Sequence, residues 1–246
     1  MSSYEYLSSV YDELSENVDY DVRSDYISDI FCDNSICSGT VLDLACGTAS
    51  MSERLMKKGY NIIGIDLSEQ MLEIASQRLS QIGENFALLK ADMQDFSLNT
   101  SVDACICCLD SINHLNTLKA VESSFNCVYK SLKQGGLFVF DVNTIYKHQC
   151  ILSGNTFVFD EENYYLVWDN EQVDEKTVRI LIDLFRFNGQ SYDRFSEEFC
   201  ETAYSVDELK DALKNAGFVD IKVYDELTYN NPEETSERLF FVCKKA

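Results

Sequence analysis

The chain has 246 residues, 46% of them hydrophobic, which is enough for one large domain or for one domain with an insertion. Its 42 acidic residues outnumber the 20 basic ones and give a net charge of -22; no Lys/Arg run supplies the clustered positive charge that a phosphate backbone requires, so nucleic acid is disfavoured as a partner. The N-terminus lacks the basic and apolar regions of a signal peptide, and no stretch approaches the roughly 20 apolar residues of a membrane span, so we expect a cytoplasmic protein without membrane contact.

Two amphipathic helices are predicted over residues 4–33, because apolar side chains recur there at helical spacing. From residue 40 onward, short apolar runs alternate with helical segments. The runs are TVLDLA, NIIGID, FALLKA, VDACICCL and LFVFDV. Gly59, Ser68 and the pair Gly135–Gly136 are predicted as helix boundaries. Continuous apolar strands separated by helices predict an α/β fold with a Rossmann-like, mostly parallel sheet and helices on both faces.

The pattern changes after about residue 148. Side chains alternate there with period two, so that Val178, Ile180, Ile182 and Leu184 share one face, which predicts antiparallel strands covered on one side. We expect this small β insertion, residues 149–204, to hang over the strand ends of the main sheet as a lid.

The last segment returns to the main fold. Ser205 and Glu208 form a capping box, Gly217 ends the helix that follows, and residues 218–225 and 238–244 are predicted as a final strand pair. We therefore expect a core made of residues 1–148 and 205–246, with the insertion between them.

Ten cysteines and two histidines do not form a zinc-binding pattern. Cys32 and Cys37 have no second pair at the spacing of structural zinc sites, and Cys105, Cys107 and Cys108 fall in an apolar run typical of a strand. Reduced thiols in a cytosolic protein are the simpler explanation, and we predict no metal.

An acid follows each of the five parallel strands. These acids are Asp43, Asp66, Asp92, Asp110 and Asp141. Ligands of open parallel sheets bind outside the carboxyl ends of the strands, so we expect the acids to surround one site. The GxGxxG fingerprint of dinucleotide folds is absent, and Asp43 would repel a pyrophosphate while suiting hydroxyl, ammonium or sulfonium groups. Asp66 follows Gly47 by 19 residues, where an acid can bind ribose hydroxyls.

Three motifs give this pattern a closer identity: VLDLACGTA at residues 41–49, GIDLSEQML at 64–72 and CCLDSINHL at 107–115. Together they resemble the class I S-adenosylmethionine-dependent methyltransferases, in the branch that acts on small molecules. The resemblance covers roughly 100 residues in the right order, which is more specific than a lone glycine-rich loop. It implies a seven-stranded sheet whose last strand is antiparallel, and S-adenosylmethionine as the cofactor.

The resemblance also implies roles for individual residues. Asp43, Ala45 and Gly47 would lie against the methionine part of the cofactor, and Asp66 would hold the ribose hydroxyls. The other implied contacts are Asp92 and Met93 with the adenine, Leu67 and Met71 on either side of the cofactor, and Asp110 and Ser111 beside the transferring methyl. Tyr11 would reach over the cofactor; the alternative for Tyr11 is a core aromatic on an amphipathic helix.

One position departs from the family. Ala49 stands where relatives usually have glycine, and its methyl group is unfavourable if the backbone needs a positive φ there. If Ala49 is helical, the departure matters little. It bears on cofactor affinity and leaves the fold unaffected.

Catalytic and substrate residues are predicted from the same strand ends and from the insertion. His114 and Asp110 are the catalytic candidates, His114 as a general base for a hydroxyl acceptor; the alternative for His114 is local packing or capping. The substrate candidates are Tyr20, Asn143, Trp168 and Arg186. Tyr20 can instead be a packing residue, and aromatic residues such as Trp168 can simply form the core of the insertion.

We predict an enzyme that methylates nitrogen or oxygen of a small molecule. A methyltransferase acting on transfer RNA is the first alternative and is disfavoured by the net charge. A nicotinamide-dependent oxidoreductase is disfavoured by the missing fingerprint, and a non-catalytic cofactor-binding protein by the intact set of five acids.

Overall fold

A computed structural model describes Asp12, Ser15 and residues 18–246 of the chain. Tyr11, predicted to reach over the cofactor, lies outside the described residues. The eleven strands within them are β1 (Thr40–Leu44), β2 (Asn61–Asp66), β3 (Phe86–Lys90), β4 (Val102–Cys107), β5 (Leu132–Asn143), β6 (Thr156–Asp160), β7 (Tyr164–Gln172), β8 (Thr177–Phe187), β9 (Tyr192–Thr202), β10 (Phe218–Asp225) and β11 (Arg238–Lys245).

Seven strands form the main sheet, in the order β10-β11-β5-β4-β1-β2-β3. Neighbouring strands from β5 to β3 pair in parallel, and β11 is antiparallel to both β5 and β10. The predicted seven-stranded sheet with an antiparallel last strand is thus confirmed. Because β11 runs the opposite way, its first residue, Arg238, pairs with Asn143 at the carboxyl end of β5.

Helices cover both faces of this sheet. They are α1 (Tyr20–Asp33), α2 (Ser50–Lys57), α3 (Glu69–Ser80), α4 (Leu118–Ser131) and α5 (Val206–Ala216). Buried side chains of α4 and α5 pack into one hydrophobic cluster, and those of α1, α2 and α3 pack into another. None of the described helices combines the length and the apolar character that a membrane crossing requires.

The helix boundaries follow from local chemistry. The hydroxyl of Ser68 accepts from the amide of Met71, Ser205 and Glu208 form a complete capping box, and Gly217 ends α5 at a φ of +104°. These three boundaries are as predicted.

The prediction for Gly135 and Gly136 was wrong. Helix α4 ends at Ser131, and both glycines lie inside β5, where the pairing with β4 shifts in register between Val102 and Ala104. A Cβ at Gly136 would lie 2.9 Å from the carbonyl oxygens of Asp103 and Lys133, so the residue serves a close backbone approach rather than a helix end.

The insertion forms a separate antiparallel sheet in the order β6-β7-β8-β9. Val178, Ile180, Ile182 and Leu184 of β8 are buried on one face and pack against Leu166 of β7, which confirms the predicted alternation. A π-helix, Lys147–Leu152, leads from the end of β5 into this sheet.

Candidate active site

A cavity of about 400 Å³ opens at the carboxyl edge of the main sheet, next to the β1–β4 junction where the strand order reverses. The loops after β1, β2, β3 and β4 line it, so residues far apart in sequence meet there. The predicted site residues among its lining are Ala45, Gly47, Asp66, Leu67, Met71, Asp92, Met93, Ser111 and His114. The position matches the rule that ligands of open α/β sheets bind at a topological switch point.

Asp66 lines this cavity and connects the loops after β1 and β2 through hydrogen bonds. Its Oδ2 accepts from the amide of Gly47 at 2.8 Å, and its Oδ1 accepts from the amide of Ser68 at 2.8 Å. Burial raises the pKa of Asp66, and the backbone hydrogen bonds oppose that rise. Each carboxylate oxygen has a second lone pair, so Asp66 can still accept hydrogen bonds from a ligand's hydroxyl groups.

The loop after β1 is held in left-handed backbone conformations. Ala45 has a φ of 58°, Gly47 of 54° and Ala49 of 65°. A Cβ at Gly47 would meet nothing within 4 Å, and Gly47 lines the cavity, so its backbone is open to a ligand. Ala49 is the N-cap of α2 and is fully buried, so the predicted departure falls where alanine is conformationally costly.

Asp43 lines a smaller, adjoining cavity of about 40 Å³. It is only 2% exposed and accepts a 2.6 Å hydrogen bond from the hydroxyl of Ser52. Burial, together with the nearby charge of Asp66, raises the pKa of Asp43 to about 7, although the Ser52 bond opposes the shift. A buried carboxylate of this kind is stabilised by a cationic ligand group.

A third cavity, of about 220 Å³, lies between the main sheet and the insertion; we call it the acceptor cavity. Its apolar lining comes mostly from the insertion: Phe159, Leu166, Trp168, Ile182 and Phe199. Asp110, Asn143, Lys147, Glu201 and Arg238 add a polar side. The acceptor cavity and the 400 Å³ cavity share Leu109 and Phe199 in their linings.

Buried ion pairs hold the loop after β4. Asp141 accepts from the amides of Leu109 at 2.8 Å and Asp110 at 3.2 Å, and both of those residues have positive φ values. Arg238 pairs with Asp141 and, at 2.7 Å, with Asp110. Burial opposes ionisation of Asp110, but the charges of Arg238, Lys147 and His114 and the hydrogen bond from Arg238 together outweigh it and hold the pKa of Asp110 below its ordinary value. Asp110, a catalytic candidate from the sequence, is therefore held as a charged carboxylate and is a weak proton acceptor.

His114 lies at the boundary between the two larger cavities. It lines the 400 Å³ cavity, its ring centroid is 5.2 Å from that of Phe199, and its Nε2 is 3.7 Å from Oε1 of Glu201. The carboxylate and imidazole atoms of Asp110, His114 and Glu201 are close enough together to hold a metal ion.

The four substrate candidates have different locations. Asn143 and Trp168 line the acceptor cavity, and Tyr20 lines the small cavity beside Asp43. Arg186 lies exposed near the end of β8 and is absent from the lining of all three cavities. The structure therefore does not bring Arg186 to the site.

The sequence analysis missed Arg238, Lys147 and Glu201 at this site. Arg238 had a usable signal, because the first residue of an antiparallel edge partner lies at the same sheet edge as the carboxyl ends of the parallel strands. Lys147 and Glu201 carry no such signal, since their placement depends on how the insertion packs.

Comparison with known proteins agrees with this geometry. Residues 41–136 match a family described as a methyltransferase domain. The chain is 36% identical over 245 residues to YqeM of Bacillus subtilis, a protein named as a methyltransferase, covering 99% of this chain and 97% of YqeM. The chain belongs to the class I S-adenosylmethionine-dependent methyltransferases.

The methyltransferase also resembles a crystal structure of an S-adenosylmethionine-dependent methyltransferase from Clostridium acetobutylicum, with a TM-score of 0.90, 31% identity and 99% of both chains covered. A third relative, from Streptomyces venezuelae, is named dTDP-3-amino-3,4,6-trideoxy-alpha-D-glucopyranose N,N-dimethyltransferase. It is 29% identical over 136 residues, which are 54% of this chain and 56% of the relative.

Proposed function

We propose that this methyltransferase transfers the methyl group of S-adenosylmethionine to nitrogen or oxygen of a small molecule bound in the acceptor cavity. The observation that carries the proposal is the pair of cavities that share Leu109 and Phe199. One is lined by strand-end acids, and the other has a largely apolar lining. A cofactor in the first and an acceptor in the second would meet at the shared residues.

The 400 Å³ cavity would hold the ribose and the adenine of the cofactor. Asp66 lines it, and each of its oxygens keeps a lone pair beyond its bond to a backbone amide, so Asp66 would accept from the two ribose hydroxyls. Asp92 and Met93 line the same cavity one strand further out, where the adenine would lie, and Leu67 and Met71 would pack on either side.

Asp43, Ala45 and Gly47 would surround the methionine end. Asp43 is buried and lacks a cationic partner among the described residues, which is unfavourable for a carboxylate until a positive group approaches. S-adenosylmethionine supplies an activated methyl group on a cationic sulfonium. The contribution of the protein is therefore mainly to bind and align the two reactants.

The acceptor cavity favours a compact molecule with an apolar part. Trp168, Phe159 and Phe199 offer aromatic faces that can contact an apolar group or a cationic amine, the latter worth about 0.5–2 kcal/mol. The Streptomyces relative acts, by its name, on an amino sugar nucleotide. Nitrogen of a small acceptor is thus one chemistry that the comparison supports.

A hydroxyl acceptor would need to lose a proton, and a neutral amine would need less help. His114 is the candidate for that step, because it lies between the two cavities. Asp110, held as an ion pair with Arg238, would instead contribute charge and loop position.

Calorimetry with S-adenosylmethionine and S-adenosylhomocysteine tests the proposal. Both should bind the wild-type protein, and Asp66→Asn should weaken binding by at least about tenfold, because a ribose acceptor is lost. Asp103→Asn is the matched control: Asp103 lies on β4 near its amino end and contacts Thr40 and Lys133. If neither ligand binds at millimolar concentration, or if both variants lose binding equally, the proposed site is wrong.

A further inference from the structure

Both histidines of the chain face one buried glutamate. His114 lies in a short 3-10 helix after β4, His148 in the π-helix after β5, and Glu201 on β9 of the insertion. His114 Nε2 is 3.7 Å from Glu201 Oε1, and His148 Nε2 is 3.7 Å from Glu201 Oε2. Three separate elements thus bring two imidazoles to the two oxygens of one carboxylate.

Neither imidazole is hydrogen-bonded to Glu201, because a separation of 3.7 Å is too long for a hydrogen bond. Glu201 Oε2 instead accepts from the side-chain amide of Asn143 at 3.4 Å. The 3.7 Å between His114 and Glu201 is close to the distance of about 3.4 Å between two donors that share a tetrahedral ion with bonds of about 2.0–2.1 Å. The spacing of this pair is therefore that of two ligands on one ion.

His148 is the independent observation. Its Nδ1 lies 2.9 Å from the carbonyl oxygen of Lys176, which can only accept, so Nδ1 carries the hydrogen and donates it. In the neutral ring Nε2 then has a bare lone pair aimed at the carboxylate of Glu201. His148 is 1% exposed, and within the described part of the chain its Nε2 has no hydrogen-bond partner. A cation on Glu201 would remove this conflict.

The hydrogen bond from His148 to the Lys176 carbonyl also fixes the orientation of the imidazole ring. Histidines that bind metals typically donate their other ring N–H to a carbonyl or carboxylate, which fixes the ring orientation and the tautomer. His148 already has this support, and Lys176 is itself anchored by Glu208 at 2.6 Å.

Asp110 completes the group of oxygen and nitrogen donors. Its carboxylate and the side-chain donors of His114 and Glu201 all lie within 4.8 Å of one another. Arg238 is paired with Asp110, and Lys147 lies nearby with its ammonium 3.0 Å from Asn143 Oδ1. Arg238 also pairs with Asp141, so it keeps a carboxylate partner if Asp110 turns toward an ion.

We infer that Asp110, His114 and Glu201 form a binding site for a divalent transition-metal ion at the boundary between the two cavities, and that His148 positions Glu201 from its other oxygen. Imidazole and carboxylate donors without thiolate suit Zn²⁺, Mn²⁺ or Fe²⁺. The sequence analysis predicted no metal, because these three ligands do not follow one another at the short spacings of zinc motifs.

The position of the ion between the two cavities indicates a role in binding the methyl acceptor, an inference that rests on the proposed function. His114 lines the 400 Å³ cavity, where the cofactor would bind, while Asp110 and Glu201 line the acceptor cavity. An ion there would take an oxygen of the acceptor as a further ligand, which selects acceptors with a hydroxyl or carboxylate group and lowers the pKa of a bound hydroxyl. His114 then acts as a ligand rather than as a free base.

Metal binding is measured directly, without turnover. Protein treated with a chelator and dialysed is titrated with Mn²⁺ by calorimetry and with Co²⁺ by absorption spectroscopy. Mn²⁺ is a hard ion that avoids the ten thiols, and thiolate binding of Co²⁺ would show as sulfur charge-transfer bands. We expect one equivalent of each ion and no such bands.

The variants test the assigned residues. Glu201→Gln and His148→Asn should each weaken Mn²⁺ binding by at least about tenfold. Asparagine can keep the donor to the Lys176 carbonyl while removing the Nε2 that faces Glu201. Glu197→Gln, the same change as Glu201→Gln at an earlier position on β9, is the control and should bind Mn²⁺ as the wild type does.

Circular dichroism checks that each variant is folded. Absence of a one-equivalent site for both ions in the wild type overturns the inference, as does Mn²⁺ binding that Glu201→Gln leaves unchanged. S-adenosylhomocysteine binding, measured on the same metal-free protein, separates this failure from failure of the proposed function.

Discussion

Asp43→Asn should change how the stability of the ligand-free protein depends on pH. Asp43 is buried, accepts one hydrogen bond from Ser52 and lies near the charge of Asp66, which together leave its pKa at about 7. In the unfolded chain the pKa returns to its ordinary value of 3.8. The folded state therefore binds more protons between these two values, and folding is opposed increasingly as pH rises through that window.

The magnitude follows from the size of the shift. One pKa unit corresponds to about 1.4 kcal/mol, so ionising Asp43 in the fold costs about 4 kcal/mol above pH 8, of which roughly 2–3 kcal/mol develops between pH 5 and pH 8. The stability contribution of protonated Asp43 is fully present below the unfolded pKa and is lost as pH rises through the folded pKa. Asparagine cannot ionise, so its cost, including about 1–3 kcal/mol for an unpartnered amide hydrogen, is the same at every pH.

Urea unfolding followed by circular dichroism at pH 5, 6, 7 and 8 measures the effect. The free energy of unfolding of Asp43→Asn, minus that of the wild type, should rise by roughly 2–3 kcal/mol across the series. Asp103→Asn is the control. Hydrogen bonds and an ion pair lower the pKa of Asp103 against the opposing effect of burial, so the stability that this carboxylate contributes is lost only in more acidic solution. The free energy of unfolding of Asp103→Asn, minus that of the wild type, should therefore be flat from pH 5 to pH 8. A flat difference for Asp43→Asn would refute the reasoning.

Three other substitutions test the packing and the division of the cavities. Ala49→Gly should change the free energy of unfolding by less than about 1 kcal/mol, because relief of about 1–2 kcal/mol of left-handed strain is offset by the lost buried methyl group and a more flexible unfolded chain. Ala49→Val should destabilise the protein by more than about 2 kcal/mol, and a large gain in stability for glycine would contradict this reasoning. In urea unfolding, Arg238→Met should lower the free energy of unfolding by about 3–5 kcal/mol, because it leaves the buried carboxylates of Asp110 and Asp141 without their cationic partner. Lys133→Met removes a half-exposed ion pair and should lower it by no more than about 1 kcal/mol; equal losses would count against the buried network. Trp168→Ala should raise the KM for the acceptor several-fold and leave the Kd for S-adenosylhomocysteine unchanged, and weakened cofactor binding would show that the cavities are not separate.

Much of the fold could be predicted because the parallel strands of the main sheet contain continuous apolar runs, most of them bounded by recognisable turns or caps. Ser68 and Ser205 fix the starts of helices through local hydrogen bonds, which depend on near neighbours in sequence. Gly136 was misassigned because its role depends on contact with Asp103 on the neighbouring strand. A glycine that ends a helix and one that permits a close approach look alike in sequence.

The residues around the 400 Å³ cavity were predictable from the sequence, and those around the acceptor cavity were largely not. Asp66 and Asp92 follow their own strands, so the parallel topology alone brings them to one edge. Glu201 reaches His114 and His148 only because the insertion folds back over that edge, and no periodicity encodes that contact. Ala49 was identified from its residue type, but its left-handed backbone required the structure.

A crystal structure with S-adenosylhomocysteine bound tests the central claim most directly. We predict the ribose hydroxyls on Asp66, the adenine beside Asp92 and Met93, and the sulfur facing the acceptor cavity past Leu109. A cofactor bound away from the carboxyl edge of the sheet, or with its sulfur directed away from the acceptor cavity, would contradict the account.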